Sequence, residues 1–474
     1  MKRVRRLFVS CLALLMTATA WADVEVNEET FPDEVFRNWL MGRYIARDGI
    51  LTDDELANFE ELDLKELGIK SLKGIEYFTE LTELDVSQNE LTELDVSQNT
   101  KLQYLFCTSN QLTSLDVSAN KALLDLMCNN NQLTKLDVSN NTALLYLNCY
   151  DNKLTELDVS KNTQLYDIMC GYNQLTTLDV SKNTQLEYLY CYSNQLTQLD
   201  VSKNLRLESL ALSDNQLTEL DVTKNKELYD LDCGQNELTE LNVSKNTKLK
   251  YLYCNSNQLT ALELKYNQSL EWLFCFTNEL TELNVLKNHE LSYLDCSFNP
   301  LTELNVSRNP ELKSLDCGFI PLTELNLVKN PKLEYLYCSN CQLTSLDLSP
   351  NKNLKTLYCY RNPISSEGLD SLIASLPVIT GEEMGFFAAV VDEDDVLSSI
   401  QVAAAKERGW QSMHWDYDES DWMPYEGYDP DGISAVDRPM TKGDGWYDLN
   451  GRRLNAKPTQ RGMYIHQGRR ILVK

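Results

Sequence analysis

Twelve cysteines fall in one series, Cys107, Cys128, Cys149, Cys170, Cys191, Cys233, Cys254, Cys275, Cys296, Cys317, Cys338 and Cys359, at intervals of 21 residues with Leu212 occupying one place. Thiols so spaced could bridge, hold soft metal ions, or serve as small buried apolar groups. In a stack of repeats neighbouring sulfurs lie side by side and parallel, whereas a disulfide needs them facing each other with a dihedral of about 90°. A metal-holding column needs exposed, charge-stabilised thiolates, which an inner row does not supply. Leu212 in the series favours plain burial, with cysteine acting as a small hydrophobe. Cys338 and Cys341 are close enough in sequence for a redox pair, and spacing alone leaves that open.

Other chemistry is sparse. His289, His414 and His466 are the only histidines, and none sits with a serine or cysteine and an acid in a nucleophilic motif. A repeat lattice also supplies the same groups many times, while an active site needs one asymmetric constellation. The chain therefore reads as a non-enzyme with no cofactor. Asp48-Gly49-Ile50-Leu51-Thr52-Asp53-Asp54-Glu55 has the glycine, central apolar residue and final glutamate of a calcium loop, but Tyr44 and Ala46 stand where the first and third ligands belong, so no metal is expected.

The elements that position the thiols follow from the same period. Leu102, Leu105, Cys107, Asn110, Leu112, Leu115, Val117 and Asn120 are followed by Leu123, Leu126, Cys128 and Asn131, and the pattern L-x-x-L-x-L-x-x-N-x-L, with cysteine in the third apolar slot, runs from Val86 to Cys359. This is the signature of a leucine-rich repeat, whose units are stable only when neighbours cover them. In Tyr104-Leu105-Phe106-Cys107-Thr108 a period of two sends Leu105 and Cys107 inward, predicting a short parallel strand per coil. The remaining ten or so residues leave no room for an outer α-helix, so extended or 3₁₀-like turns are expected. The predicted fold is an α/β-type solenoid: one long parallel concave sheet of fourteen strands, an extended or 3₁₀ convex side, a small helical N-terminal cap and a mixed α/β C-terminal cap. At about 4.8 Å per strand the sheet would run roughly 65 Å along a gently curved rod. The asparagine column at Asn89, Asn110, Asn131 and onward to Asn362 can satisfy backbone groups that each turn leaves unpaired. Ile320 and Cys341 interrupt it among several prolines, which predicts a looser stretch there.

If that phase holds, three positions per coil face solvent: minus three, minus one and plus one relative to the cysteine slot. They carry Tyr104 and Phe106; Tyr146 and Tyr150; Tyr188, Tyr190 and Tyr192; Tyr251 and Tyr253; Trp272, Phe274 and Phe276; Tyr293; Tyr335 and Tyr337; Tyr358 and Tyr360, which is 17 aromatics in 42 positions against 9% for the chain. Aromatics suit strands and stack along a sheet, which accounts for part of this. The remainder reads as a recognition surface of large, rigid, amphipathic contacts. In the first half the aromatic coils alternate with coils bearing Asp125 and Met127, Asp167 and Met169, or Ser209, Ala211 and Ser213, giving ridges about 10 Å apart that would suit an extended ligand.

The formal charge of −28 makes nucleic acid an unsuitable partner. Lys2, Arg3, Arg5 and Arg6, the apolar run 7–18 and Ala20-Trp21-Ala22 read as a secretory signal peptide over residues 1–22, with no other membrane-spanning segment. Phe8-Val9-Ser10-Cys11 resembles a lipoprotein box, but too little apolar sequence precedes it. The expected organisation continues with a helical cap over 23–80, repeats over 81–362, a cap over 363–425, and a linker with a sorting segment over 426–474. Within the caps, 31–40, 367–376 and 395–408 read as helices and 386–391 as a strand. The acidic, aromatic stretch 416–431 reads as a solvated connector.

The unit from Asn152 to Cys170, together with Leu62-Asp63-Leu64 and the run 68–75, resembles the internalin-type leucine-rich repeat proteins, in particular those with a cysteine ladder. That resemblance covers roughly residues 55–362 and implies surface-displayed binding proteins, some acting in adhesion to host cells. The chain lacks the family's LPXTG wall anchor. Instead, 446–454, Gly462-Met463-Tyr464-Ile465 and the basic end 469–474 resemble a shortened type IX secretion sorting domain, which implies passage through an outer membrane. The sequence thus points to an exported single rod at the cell surface that binds a protein ligand as a monomer. A glycan ligand on the same aromatics, or a purely structural spacer, are the other readings.

Overall fold

The computed structural model describes residues 23–42, 46, 48–381, 384–390, 397–416 and 420–428, and in the tail 446–447, 453–454, 458, 462–466 and 469–473. The signal peptide with Cys11, Tyr44 of the calcium-like loop, and most of 426–474 lie outside the described residues. The chain divides into two compact units, Met1–Leu133 and Thr134–Lys474, and each is described by itself.

The first unit opens with β1 (Val24–Glu25), α1 (Glu34–Gly42), β2 (Ile50–Leu51) and α2 (Asp53–Leu56). α1 starts two residues after Pro32, because the Asp33 carboxylate caps it by accepting from the N–H groups of Val35 and Phe36. The Asp33 Oδ2 also accepts from Lys70 and Ser71, tying the segment to the first coil. Then β3 (Glu61–Asp63), β4 (Glu83–Asp85), β5 (Tyr104–Phe106) and β6 (Asp125–Met127) pair in parallel and in register, after a single 3₁₀ turn at Ile75–Tyr77.

The second unit continues the theme with β7 (Tyr146–Asn148), β8 (Asp167–Met169), β9 (Tyr188–Tyr190), β10 (Ser209–Ala211), β11 (Asp230–Asp232) and β12 (Tyr251–Tyr253). It goes on through β13 (Trp272–Phe274), β14 (Tyr293–Asp295), β15 (Ser314–Asp316), β16 (Tyr335–Tyr337) and β17 (Thr356–Tyr358). Two crossovers follow, α3 (Ser366–Ser375) into β18 (Gly385–Val390) and α4 (Ser399–Glu407) into β19 (Trp410–Asp416), each adding a parallel strand. β20 (Asp421–Pro424) turns back antiparallel on β19. The acidic stretch after Asp416 therefore contributes a strand as well as a connector. In the tail, β21 (Trp446–Tyr447), β22 (Arg453–Leu454), β23 (Gly462–His466) and β24 (Arg469–Val473) form an antiparallel sheet in the order β22-β21-β23-β24.

A repeat with no change of length places like on like. Leu231 pairs with Leu252, Leu252 with Leu273, and the same holds down the sheet. Within each coil four leucines, a valine and a cysteine are buried, as for Leu123, Leu126, Cys128, Leu133, Leu115 and Val117. At about 2 kcal/mol for each fully buried aliphatic side chain, this is the main term holding one coil to the next. The outer side turns twice through i to i−3 hydrogen bonds, Asn225 N–H to Val222 O and Leu228 N–H to Asn225 O, each a 3₁₀-like turn as the repeat length demands.

The first asparagine column works as expected. Asn257 Nδ2 donates to Cys233 O at 2.9 Å, Cys254 O at 3.2 Å and Asn255 O at 3.2 Å, and its Oδ1 accepts from Leu238 N at 2.9 Å. The looser stretch expected at Ile320 and Cys341 is not found. Leu315, Leu336 and Leu357 keep the common register. Cys341 Sγ donates to Cys317 O at 3.2 Å, replacing the amide, and the Leu322 N–H turns back to Ile320 O at 2.8 Å. Ile320 is simply buried.

Two further regularities run through the coils. A second asparagine column on the outer side is fully buried, with Asn225 Nδ2 donating to Val201 O at 3.0 Å and Asn204 O at 2.8 Å. Its Oδ1 atoms, as in Asn183, Asn204 and Asn225, find no partner. The second regularity is the residue before each inner asparagine, which is left-handed in every coil whatever its type, for example Gln235 at φ 50°, Thr277 at 55° and Phe298 at 55°. Such a backbone is uncommon for non-glycine residues and persists here because the asparagine on one side and the sheet on the other both require it.

Candidate ligand-binding face

The phase of the strands decides which side chains meet solvent. All thirteen described cysteines are free and buried, including Cys338 and Cys341, so the open question of a bridge between those two resolves as two thiols. Burial pushes the thiols of Cys149, Cys191 and Cys254 up to about 12 and leaves them protonated at neutral pH, poor nucleophiles and poor metal ligands. Among the described residues no cluster of three or more His, Cys, Asp or Glu could hold a metal ion.

The aromatic positions lie on the opposite face. Tyr104 and Tyr146 are 37% and 43% exposed. The other rings of the expected set are half-buried, because neighbours shield one another rather than because they enter the core. In the first unit Tyr104 and Phe106 lie 6.5 Å apart on β5. In the second unit three groups form. Tyr150, Tyr172 and Tyr192 make a triangle with centroids 5.2, 5.8 and 5.6 Å apart, while Tyr166 bridges Tyr146 at 5.7 Å and Tyr188 at 5.4 Å. Tyr190 lies between these two lines on β9, and burial raises its phenol. The second group joins Tyr251 to Trp272 at 5.5 Å, Tyr253 to Phe274 at 5.2 Å in a stack, and Trp272 to Tyr293 at 4.8 Å, with Phe276 half-buried just beyond β13. The third group holds Tyr335, Tyr337 and Tyr358; Tyr358 stacks on Phe386 at 5.1 Å, and Trp422 meets Tyr358 edge-on at 5.1 Å and Tyr360 at 5.7 Å. Tyr358 and Tyr360 are thus partly covered by β20.

Tyr166 and Tyr172 were missed by the three-position window. They sit one place outside it, at minus four and plus two, and aromatic type in the same 21-residue frame was the signal available. Trp422 had no such signal, since it arrives by a reversal of the chain after the repeats end.

Carboxylates are set among the rings. Asp230 and Asp232 lie on β11, and Asp295 and Asp316 face each other across β14 and β15. Asp295 Oδ1 accepts from Ser297 N and Oγ, and Asp316 Oδ1 accepts from Gly318 N. Burial raises Asp295 to about 6 and, with its neighbour's charge, raises Asp316 well above the ordinary 3.8. The folded chain therefore holds these protons more tightly than the unfolded chain. Their contribution to stability is fully present below pH 4 and is lost as the pH rises through about 6 and beyond. Replacing Asp316 by Asn keeps the Gly318 hydrogen bond and removes the buried charge. The expected result is a higher unfolding temperature at pH 7 and no gain at pH 4, read by thermal unfolding at the two pH values. An equal shift at both would show that charge is not the cause.

The outer edge is different. Asp158 and Asp179 each accept from the N–H of the serine two residues on, and that N–H and the serine hydroxyl hold their carboxyls below the usual range. Cross-coil ion pairs such as Lys250 to Glu271 at 2.7 Å and Lys355 to Glu334 at 2.8 Å are solvent-exposed and contribute little.

Comparison with known proteins agrees with this geometry. A family profile described as Leucine Rich repeats (2 copies) matches residues 331–372. The functional domain of InlJ from Listeria monocytogenes, described as including a cysteine ladder, is 35% identical, with a TM-score of 0.70 over 87% of this chain and 94% of that one. A leucine-rich repeat protein of Leptospira interrogans is 26% identical, with a TM-score of 0.62 over 69% of this chain and 97% of that one. The internalin InlF of L. monocytogenes is 24% identical with a TM-score of 0.53, over 68% and 98%, and shows the fold alone. Among curated protein sequences no significant match is found. The chain belongs to the internalin-type leucine-rich repeat proteins with a cysteine ladder. Within the described residues no helix is long and apolar enough to cross a membrane.

Proposed function

We propose that the protein is exported, displayed at a cell surface, and binds a protein ligand on another cell through the aromatic face of its sheet. The observation that carries this reading is the concentration of outward aromatics on the strand face opposite the apolar core within each unit, Tyr104 and Phe106 in the first and fifteen rings in the second. Large half-exposed rings already ordered by their neighbours lose little entropy on binding, which is what a recognition surface needs. A binding scaffold also accounts for the absence of any asymmetric catalytic constellation in the repeat lattice. The contacts within the Tyr150, Tyr172 and Tyr192 triangle are edge-to-face or tilted, and leave few flat ring faces there for sugars to stack on. That favours a protein over a glycan. Export rests on the basic and apolar run of residues 1–22, and passage through an outer membrane on the resemblance of 446–454, 462–465 and 469–474 to a shortened type IX secretion sorting domain.

Tyr188, Tyr190 and Tyr192 form one of the two coils of this face with three outward rings, Trp272, Phe274 and Phe276 being the other. Changing all three to serine removes three ring contacts worth about 1 kcal/mol each and is expected to weaken ligand binding about 100-fold. Thermal unfolding should change little, because none of the three is in the leucine core. Undiminished binding to cells or purified surface protein would remove the face from the function.

A further inference from the structure

On the reading that this face binds a protein, we propose that the ligand is a cationic segment whose arginine or lysine side chains lie along one row of the second unit, from Asp232 on β11 to Tyr337 on β16. Strand register sets that row. Asp232 pairs with Tyr253, Tyr253 with Phe274, Phe274 with Asp295, Asp295 with Asp316, and Asp316 with Tyr337. Read across the sheet the order is acid, ring, ring, acid, acid, ring. With about 4.8 Å per strand the two acidic stations begin about 14 Å apart, the distance from residue i to i+4 of an extended chain laid across the strands.

Charge complementarity selects the partner. The 42 outward positions hold eight carboxylates, Glu83, Asp85, Asp125, Asp167, Asp230, Asp232, Asp295 and Asp316, and no lysine or arginine, although the chain has 43 basic residues. Among the described residues some of these pair at the edges, as Lys250 and Lys355 do with glutamates. Among the described ion pairs none reaches Asp232, Asp295 or Asp316. Like charges directly opposite on neighbouring strands destabilise a sheet, and Asp295 with Asp316 is such a pair. The three hydrogen bonds holding these two carboxylates all go to Oδ1, which fixes their orientation. A guanidinium or ammonium above them turns the repulsion into attraction, and the ring faces of Phe274 and Tyr337 on either side add cation–π contact. A neutral glycan could donate hydroxyl hydrogen bonds to these carboxylates but would not neutralise their charge.

The test uses the full chain and a labelled alternating Arg-Gly peptide, with Gln-Gly and Glu-Gly peptides of equal length, at physiological salt. Asp295→Asn with Asp316→Asn is expected to weaken Arg-Gly binding at least about tenfold. Asp158→Asn with Asp179→Asn, which removes the same charge from the outer turns, should leave it unchanged. Thermal unfolding of the first pair should be no lower than that of the parent, so loss of binding is not loss of fold. Equal weakening by both pairs, or Gln-Gly binding as well as Arg-Gly, overturns the inference. If the peptides do not discriminate while a surface protein still binds and is lost on the Tyr188, Tyr190 and Tyr192 change, the cationic inference falls and the protein-binding reading stands; if neither responds, both fall.

Discussion

Asn257→Ala is expected to cost about 2–4 kcal/mol, more than any single surface change in this protein. The amide of Asn257 satisfies three carbonyls, of Cys233, Cys254 and Asn255, and one N–H, of Leu238, at a site where the residue is only 8% exposed. Alanine leaves the Leu238 N–H buried without a partner, at about 1–3 kcal/mol before relaxation, and takes one of two donors from each of the three carbonyls, which keep Asn236 Nδ2, Asn278 Nδ2 and the Gln235 N–H. Because each coil is stable only through its neighbours, the damage should appear as a separate, earlier unfolding step. Asn257→Cys supplies the comparison. The chain itself uses cysteine in this column at position 341, where the thiol donates to Cys317 O. The donation to the Cys233 carbonyl is then restored, and the cost should be about half that of alanine. Denaturant unfolding of the two variants checks the claim, and equal losses would mean that volume rather than hydrogen bonding is what the column supplies.

Gly74→Ala should be nearly as damaging, by a different route. Gly74 has φ 108°, and a Cβ there would lie 2.2 and 2.3 Å from ring atoms of Phe31 and 2.9 Å from Thr30 O. Phe31 is fully buried, packs edge-on against Phe36 at 5.6 Å, and lies 6.0 Å from Tyr77. It is the plug by which the N-terminal segment covers the first coil. Displacing it should cost about 3 kcal/mol, the sum of backbone strain and an overpacked core. Gly68→Ala isolates the first part, since Gly68 has φ 78° and no atom within 4 Å of its Cβ position. Its cost should be about 1 kcal/mol. Limited proteolysis of residues 23–42 should accelerate in Gly74→Ala and not in Gly68→Ala; the same rate in both would show that the ring contact does not hold the segment.

Both effects also mark what could be read in advance. The inner asparagine column was evident from its spacing, since a side chain that donates and accepts is useful wherever a chain turns inside a core. The consequence of breaking it was misjudged: Ile320 and Cys341 looked like a loosened stretch, yet the register passes through unchanged. Sequence shows which residue stands in a column, whereas only coordinates show that a thiol can reach the Cys317 carbonyl and that the Leu322 N–H can turn back to Ile320. Gly74 gave no hint of its role, because the residue that fills its space is 43 positions earlier.

A strict 21-residue period by itself determined the parallel stacking, the inward turn of Leu105 and Cys107, the absence of outer helices and the outward set of tyrosines, because in a lattice without insertions every coil must repeat the contacts of the last. The tertiary structure decided what periodicity cannot carry. It closed Trp422 over Tyr358 and Tyr360 from a reversed strand, set Asp295 against Asp316, and held Thr277 and Phe298 left-handed against their own preference. Those are interactions between different residues in different coils, and their energies depend on distance and burial, which a one-dimensional pattern does not contain.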